Sequence, residues 1–253
     1  MISEIWAHRG ASTVYPENTM PAFQEAVKLG ADGIELDIQR SLDGILFVYH
    51  DENLSRLTRT NRFVQELRSD AIQSLKVKAQ VKHSASQHIP RLEEVLEYFV
   101  GKPHKINIEL KNSIFFYPGM EEEVVALVEK YNLENQVYYS SFNHESMAKM
   151  ATLGYGKKSG LLYSSILVED INYAKSLGVK NLHPMLNSLQ KPDFVSRAHE
   201  AGMSVHTWTA NEEQYIQAAL SLGVNAIITD EVSKALAIRA TYLNKTKEDT
   251  SHA

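Results

Sequence analysis

Short runs of apolar and β-branched residues alternate along the chain with longer stretches whose apolar positions recur every three to four residues. The short runs predict strands over Glu4–His8, Gly33–Gln39, Lys105–Lys111, Val137–Phe142, Gly160–Tyr163, Asn181–Pro184, Ser204–Thr209 and Ala226–Asp230. The longer stretches predict helices over Thr19–Leu29, Leu92–Val100, Glu121–Tyr131, Glu145–Leu153, Val168–Leu177, Pro192–Ala201, Glu212–Leu222 and Val232–Leu243. Leu29-Gly30, Leu153-Gly154, Leu177-Gly178, Ala201-Gly202 and Leu222-Gly223 each read as a helix stop with glycine in the left-handed cap, and an apolar strand follows soon after. That repeated unit implies βα alternation and a parallel sheet. Eight strands in 253 residues fit a closed (β/α)8 TIM barrel. An open doubly wound sheet is the alternative, but the G-x-G-x-x-G phosphate fingerprint is missing after the first strand.

The rhythm breaks between Asp51 and His104, and Lys76–His88 is polar without clear periodicity. This stretch reads as a small insertion after strand two, placed at the barrel mouth and ending in the helix that starts near Pro90. One barrel domain over 1–243 is therefore expected, with a polar tail, Asn244–Ala253, that frays.

Composition narrows the classes. The length allows a large core without covalent staples, and the absence of cysteine removes disulfides and thiolate metal sites. With 26 basic against 31 acidic residues the net charge is −5, which argues against nucleic acid as a partner. Met1–Trp6 has no signal-peptide character, and no apolar run approaches the ~20 residues of a membrane span. The expectation is a cytoplasmic protein without a stable membrane anchor. A homo-oligomer remains open.

Alternation places the candidate chemistry. Residues i and i+2 of a strand share a face, so Glu35 and Asp37 project together, as do Glu109 and Lys111. Ile34, Leu36, Ile38, Ile108 and Leu110 then face the helices, leaving the charged set in the lumen. Three enclosed carboxylates repel each other unless a cation joins them, and an all-oxygen donor set favours Ca2+ or Mg2+. Salt bridges to Arg9 and Lys111 are the simpler alternative. Asp43-Gly44 signals a hairpin returning over Ile45–Tyr49. A two-residue turn near Leu42–Gly44 pairs positions whose numbers sum to about 85–87, which brings His50 beside Glu35 to Asp37. His8 ends strand one. Two imidazoles would thus flank the acidic site, one able to take a proton and the other to give one.

These residues carry a resemblance. His8-Arg9-Gly10, Pro16-Glu17-Asn18-Thr19, Gly33-Ile34-Glu35-Leu36-Asp37, His50-Asp51, Ile89-Pro90, Leu92-Glu93-Glu94, Ile108-Glu109-Leu110-Lys111, Trp208-Thr209 and Thr229-Asp230 resemble, in order and spacing, the glycerophosphodiester phosphodiesterase family, which is related to phosphatidylinositol-specific phospholipase C. The resemblance spans nearly the whole chain. It implies Glu35, Asp37 and Glu109 as ligands of one divalent metal ion, and His8 and His50 as general base and acid. It implies Arg9 and Lys111 at the phosphate with Asn18 close by, and Trp208 near the glycerol, where a packed rim aromatic is the equal alternative. Departures are Arg91 where the family has Thr, Leu54-Ser55-Arg56-Leu57-Thr58-Arg59-Thr60 where it runs close to Leu-x-Arg-Thr-Thr, and Glu231 where Pro is common.

The implied reaction is hydrolysis of a small glycerophosphodiester to sn-glycerol 3-phosphate and an alcohol. The first nucleophile is either the neighbouring glycerol hydroxyl, through a cyclic phosphate, or water. A lysophospholipase D-type enzyme is the lipid-cleaving alternative: Ile114-Phe115-Phe116-Tyr117 would grip an acyl chain, although packing of that loop on the barrel is the favoured reading. A non-catalytic phosphodiester-binding protein is disfavoured, because both histidines and all three carboxylates are present. His83, His88, His104, His144 and His199 read as surface or loop residues. His183 and His206, near strand ends, suit core or rim packing at least as well as the pocket.

Overall fold

The computed structural model describes residues 2–78 and 86–251; His83 and most of the polar 76–88 stretch lie outside them. Its strands are β1 (Glu4–His8), β2 (Gly33–Arg40), β3 (Leu46–Val48), β4 (Lys105–Leu110), β5 (Val137–Ser141), β6 (Ser159–Tyr163), β7 (Asn181–Pro184), β8 (Ser204–Thr207) and β9 (Ala226–Thr229). All but β3 are parallel, and the β1–β2 and β1–β9 pairings close them into an eight-stranded barrel. The helices are α1 (Met20–Leu29), α2 (Ser55–Thr58), α3 (Ser69–Ser74), α4 (Leu92–Phe99), α5 (Met120–Lys130), α6 (His144–Met150), α7 (Asp170–Ser176), α8 (Phe194–Glu200), α9 (Glu213–Leu222) and α10 (Val232–Ser251). This is the (β/α)8 architecture that the alternation predicts. All five predicted stop glycines have positive φ.

Apolar burial between strands and helices is the main stabilising term. Ile34, Leu36, Ile38, Ile106 and Ile108 are fully buried, each contributing roughly 1.5–3 kcal/mol. Leu92, Val95, Leu96 and Phe99 bring α4 into the same core. Arg91 donates its backbone N–H to Glu94 Oε1 at 2.9 Å, so half of a capping box forms without a hydroxyl at the N-cap.

The opposite strand faces fill the lumen. Near its base Trp6, Tyr138, His183 and His206 pack together, with His206 Nδ1 2.9 Å from His183 Nε2 and the Trp6 ring 4.6 Å from that of His206. Burial pushes both imidazoles down, His206 to about 3. Gly160 makes this possible, since a Cβ there would lie 2.3 Å from His183 Nε2. Both histidines are therefore core residues, and neither lines the cleft described below.

One local expectation is corrected. Ser41 donates its backbone N–H to the Ile45 carbonyl, so the turn between β2 and β3 has three residues, Leu42–Gly44, rather than two, with Gly44 left-handed at φ 85°. The register is nevertheless the predicted one: Ile38 pairs Val48, Gln39 pairs Phe47 and Arg40 pairs Leu46. α10 runs to Ser251, through the start of the polar tail, where neither glycine nor proline interrupts it. Beyond the hairpin, α2, α3 and their connections cover the barrel mouth around a second small core of Phe47, Tyr49, Leu54, Leu57, Val64 and Ile72.

Candidate active site

The strand ends meet in a cleft lined by His8, Arg9, Glu35, His50, Asn107, Glu109, Ser140, Phe142, Leu162, Trp208 and Ile228. A larger groove of about 610 Å3 between α9 and α10 gathers no matched set of reactive groups. Alternation and register build the acidic part: Glu35 and Asp37 share a face of β2, and Asp37 is level with Glu109 on β4. One oxygen from each of the three carboxylates lies within 4.8 Å of the others.

The simpler reading, salt bridging, is satisfied only in part. Lys111 Nζ is 2.9 Å from Glu109 Oε1, and Arg9 Nε is 3.3 Å from Asp37 Oδ2. Glu35 accepts only the Arg9 backbone N–H, at 3.0 Å, and forms no salt bridge among the described residues. Burial, then Asp37 and Glu109, push the Glu35 carboxyl well above its ordinary range. Burial and Asp37 raise Glu109. Burial also opposes ionisation of Asp37, but Arg9, His50, Lys111 and an Asn18 hydrogen bond outweigh it and hold that carboxyl low. Asp37 Oδ1 is buried with no hydrogen-bond partner. An orphaned carboxylate oxygen beside two carboxyls that resist ionisation fits a hard cation.

Each candidate histidine rests against a carboxylate. His8 Nδ1 lies 2.8 Å from Asp230 Oδ1, and His50 Nδ1 lies 2.7 Å from Asp51 Oδ1. A carboxylate only accepts, so each Nδ1 carries its hydrogen outward and each Nε2 is left for chemistry. Lys111 Nζ is 3.3 Å from His50 Nε2. Burial opposes ionisation of Asp230, yet His8, Asn211 and Ser12 hold its carboxyl down at about 2.

Arg9 turns the chain out of β1 with φ 57°, and Gly10 follows at φ 80°. A Cβ on Gly10 would sit 2.7 Å from the Ala22 carbonyl carbon, so only glycine lets α1 approach this turn. Arg9 Nη1 donates to Glu17 Oε1 at 2.9 Å. Asn18 lies behind the carboxylates, donating Nδ2 to Asp37 Oδ2 at 2.8 Å; it touches Asp37 rather than the open cleft. Trp208 donates Nε1 to the His183 carbonyl at 2.8 Å and stacks edge-on against Phe142, so it is both a packed rim residue and a cleft wall.

The sequence reading missed the roles of Asp51, Asp230, Glu17 and Arg56. Asp51 adjoins His50 in sequence, and Asp230 directly follows the strand that barrel closure must place beside β1. Glu17 and Arg56 meet only because α2 docks on the mouth.

The sequence pattern of the glycerophosphoryl diester phosphodiesterase family matches residues 8–234. A glycerophosphodiester phosphodiesterase of Caldanaerobacter subterraneus subsp. tengcongensis is 39% identical, over 89% of this chain and 93% of its own. A structure from Silicibacter pomeroyi DSS-3 superposes with TM-score 0.87 at 24% identity, covering 95% of this chain and 94% of its own, and so shares the fold. A phosphodiesterase of Oleispira antarctica in complex with its product sn-glycerol-3-phosphate superposes with TM-score 0.77 at 25% identity, covering 94% and 96%.

Proposed function

The chain belongs to the glycerophosphoryl diester phosphodiesterase family, and we propose that it hydrolyses glycerophosphodiesters to sn-glycerol 3-phosphate and an alcohol, using His8 and His50 beside a divalent ion. One observation carries this reading: two histidine–carboxylate pairs flank a three-carboxylate cluster in a single cleft. The product held by the Oleispira relative supports the substrate class. Glu35, Asp37 and Glu109 would hold the ion, Ca2+ or Mg2+ given the oxygen donors. When bound, the ion supplies Lewis-acid neutralisation of phosphoryl charge.

The chain's own groups account for the rest. Arg9 and Lys111 add positive charge where the phosphoryl oxygens gather it. His8 Nε2 takes the proton of the nucleophile, either the adjacent glycerol hydroxyl or water. His50 Nε2 gives a proton to the departing alcohol oxygen; where the glycerol hydroxyl attacks and leaves a cyclic phosphate, the roles reverse as water opens it. Asn18 holds Asp37 in place, and Trp208 with Phe142 walls the glycerol side.

A second reading, cleavage of acylated lysophospholipids by the same groups, is favoured by one feature. Within Ile114–Tyr117 of the loop after β4, Phe115 and Tyr117 pack inward, while Ile114 is 63% and Phe116 70% exposed beside the mouth. No helix among the described residues is long and apolar enough to cross a membrane.

The deciding measurement is glycerol 3-phosphate release from glycerophosphocholine and glycerophosphoethanolamine, with EDTA and then with Ca2+, Mg2+ or Mn2+ restored. Release abolished by EDTA and restored by one ion is expected. Cleavage of lysophosphatidylcholine alone would select the second reading, and inactivity on all three substrates would refute both.

A further inference from the structure

Two carboxylates hold the groups assigned to proton donation and phosphate binding, and both are gripped by one side chain. Arg56, in α2 of the insertion, donates Nε to Asp51 Oδ2 at 2.6 Å and Nη2 to Asp51 Oδ1 at 3.0 Å. It also donates Nη1 to Glu17 Oε2 at 2.9 Å and Nη2 to Glu17 Oε1 at 2.7 Å. Asp51 Oδ1 is the atom that meets His50, and Glu17 Oε1 is the atom that meets Arg9.

We propose that Arg56 is a positioning residue that orients His50 through Asp51 and Arg9 through Glu17, making the insertion a structural part of the active site. The inference rests on the proposed function for the roles of His50 and Arg9.

The geometry sets this apart from an ordinary surface ion pair. The Arg56 side chain is 41% exposed, so its pairs contribute little to stability in themselves. Their consequence is directional. A carboxylate held by a guanidinium fork cannot turn, and a carboxylate that cannot turn fixes the imidazole or guanidinium on its other side. Glu17 is 9% exposed and fastened on both sides by arginine, which brings the first βα loop and the insertion to one point. Lysine cannot reproduce the arrangement, because a single ammonium does not offer two planar forks.

The test compares Arg56→Gln and Arg56→Lys with the wild type on glycerophosphocholine and on the glycerol p-nitrophenyl phosphodiester, whose leaving group needs no proton. Tm is measured alongside. Both variants should lose roughly 10–100-fold in kcat on glycerophosphocholine with Tm nearly unchanged, and KM should rise as Arg9 loosens. The kcat loss should shrink several-fold on the p-nitrophenyl substrate. In an Asp51→Asn background, Arg56→Gln should lower kcat by less than about threefold further, because the path to His50 is already broken, while the KM rise through Glu17 and Arg9 should persist.

Imidazole 15N NMR gives a reading that needs no turnover: His50 should hold one tautomer, protonated at Nδ1, in the wild type and a mixture in Arg56→Gln. Equal losses on both substrates, full additivity with Asp51→Asn, full activity of Arg56→Lys, or an unchanged His50 tautomer would overturn the proposal. A wild type inactive on glycerophosphodiesters would instead sink the functional reading, with the tautomer measurement still deciding the role of Arg56.

Discussion

Replacing Asp230 by asparagine removes a charge while leaving the side chain's size and shape almost unchanged. Three donors converge on this carboxylate: His8 Nδ1 at 2.8 Å and Ser12 Oγ at 3.0 Å on Oδ1, and Asn211 Nδ2 at 2.7 Å on Oδ2. An amide offers one oxygen, so one side must fail. With its oxygen toward His8, its NH2 meets the Asn211 NH2, and two facing donors cost about 1–3 kcal/mol. Asn211 cannot turn away, because its Oδ1 already accepts from Thr229 Oγ1 and from the residue 230 backbone N–H. The amide therefore flips, and its NH2 faces His8 Nδ1. The imidazole must then present a lone pair at Nδ1 and carry its hydrogen on Nε2, where the base is needed. Losing a positioned general base costs roughly 10²–10⁴-fold, and the same tautomer reversal in a serine-protease triad costs about 10⁴. Asp230→Asn should accordingly lower kcat for glycerophosphocholine by 10²–10⁴-fold, about 3–5 kcal/mol of transition-state stabilisation. The assay is steady-state glycerol 3-phosphate release at saturating metal and substrate, with Tm confirming the fold. A kcat within threefold of the wild type would refute the role given to the His8–Asp230 contact.

Further outcomes follow from the same geometry. His50→Ala should lose less activity on the p-nitrophenyl phosphodiester than on glycerophosphocholine, and equal losses would remove His50 as the acid. The His206 imidazole, lowered by burial and then by the Lys158 charge, should destabilise the fold in mild acid. The unfolded chain takes up a proton near pH 6.5 that the folded chain refuses until about pH 3. Stability conferred by this group is thus complete above pH 6.5 and is lost as pH falls, by about 1 kcal/mol per pH unit. Denaturant titrations at pH 7 and pH 5 check this, and an identical pH dependence in His206→Phe would contradict it. Gly160→Ala should lower Tm by several degrees, through about 1–3 kcal/mol of overpacking against His183; an unchanged Tm would show that the ring has room to move.

The chemistry at the centre of the cleft was legible in the sequence because strand periodicity is local. Burial of Ile34, Leu36 and Ile38 against the helices forces Glu35 and Asp37 into the lumen, and the same alternation places Glu109 level with Asp37 one strand away. The hairpin was legible for a similar reason, since Gly44 fixes the turn and the turn fixes the register that delivers His50. What the tertiary structure alone decided are contacts between segments that share no local pattern. His8 and Asp230 are 222 positions apart and meet because the last strand closes on the first. Arg56 reaches Glu17 across 39 positions only when the insertion docks, a packing outcome that short-range periodicity does not encode. Asn18 takes its place behind Asp37 because Gly10 lets α1 crowd the first turn. Hydrophobic pattern selects the face each side chain takes, whereas barrel closure and loop packing, set by the whole chain at once, select its partner.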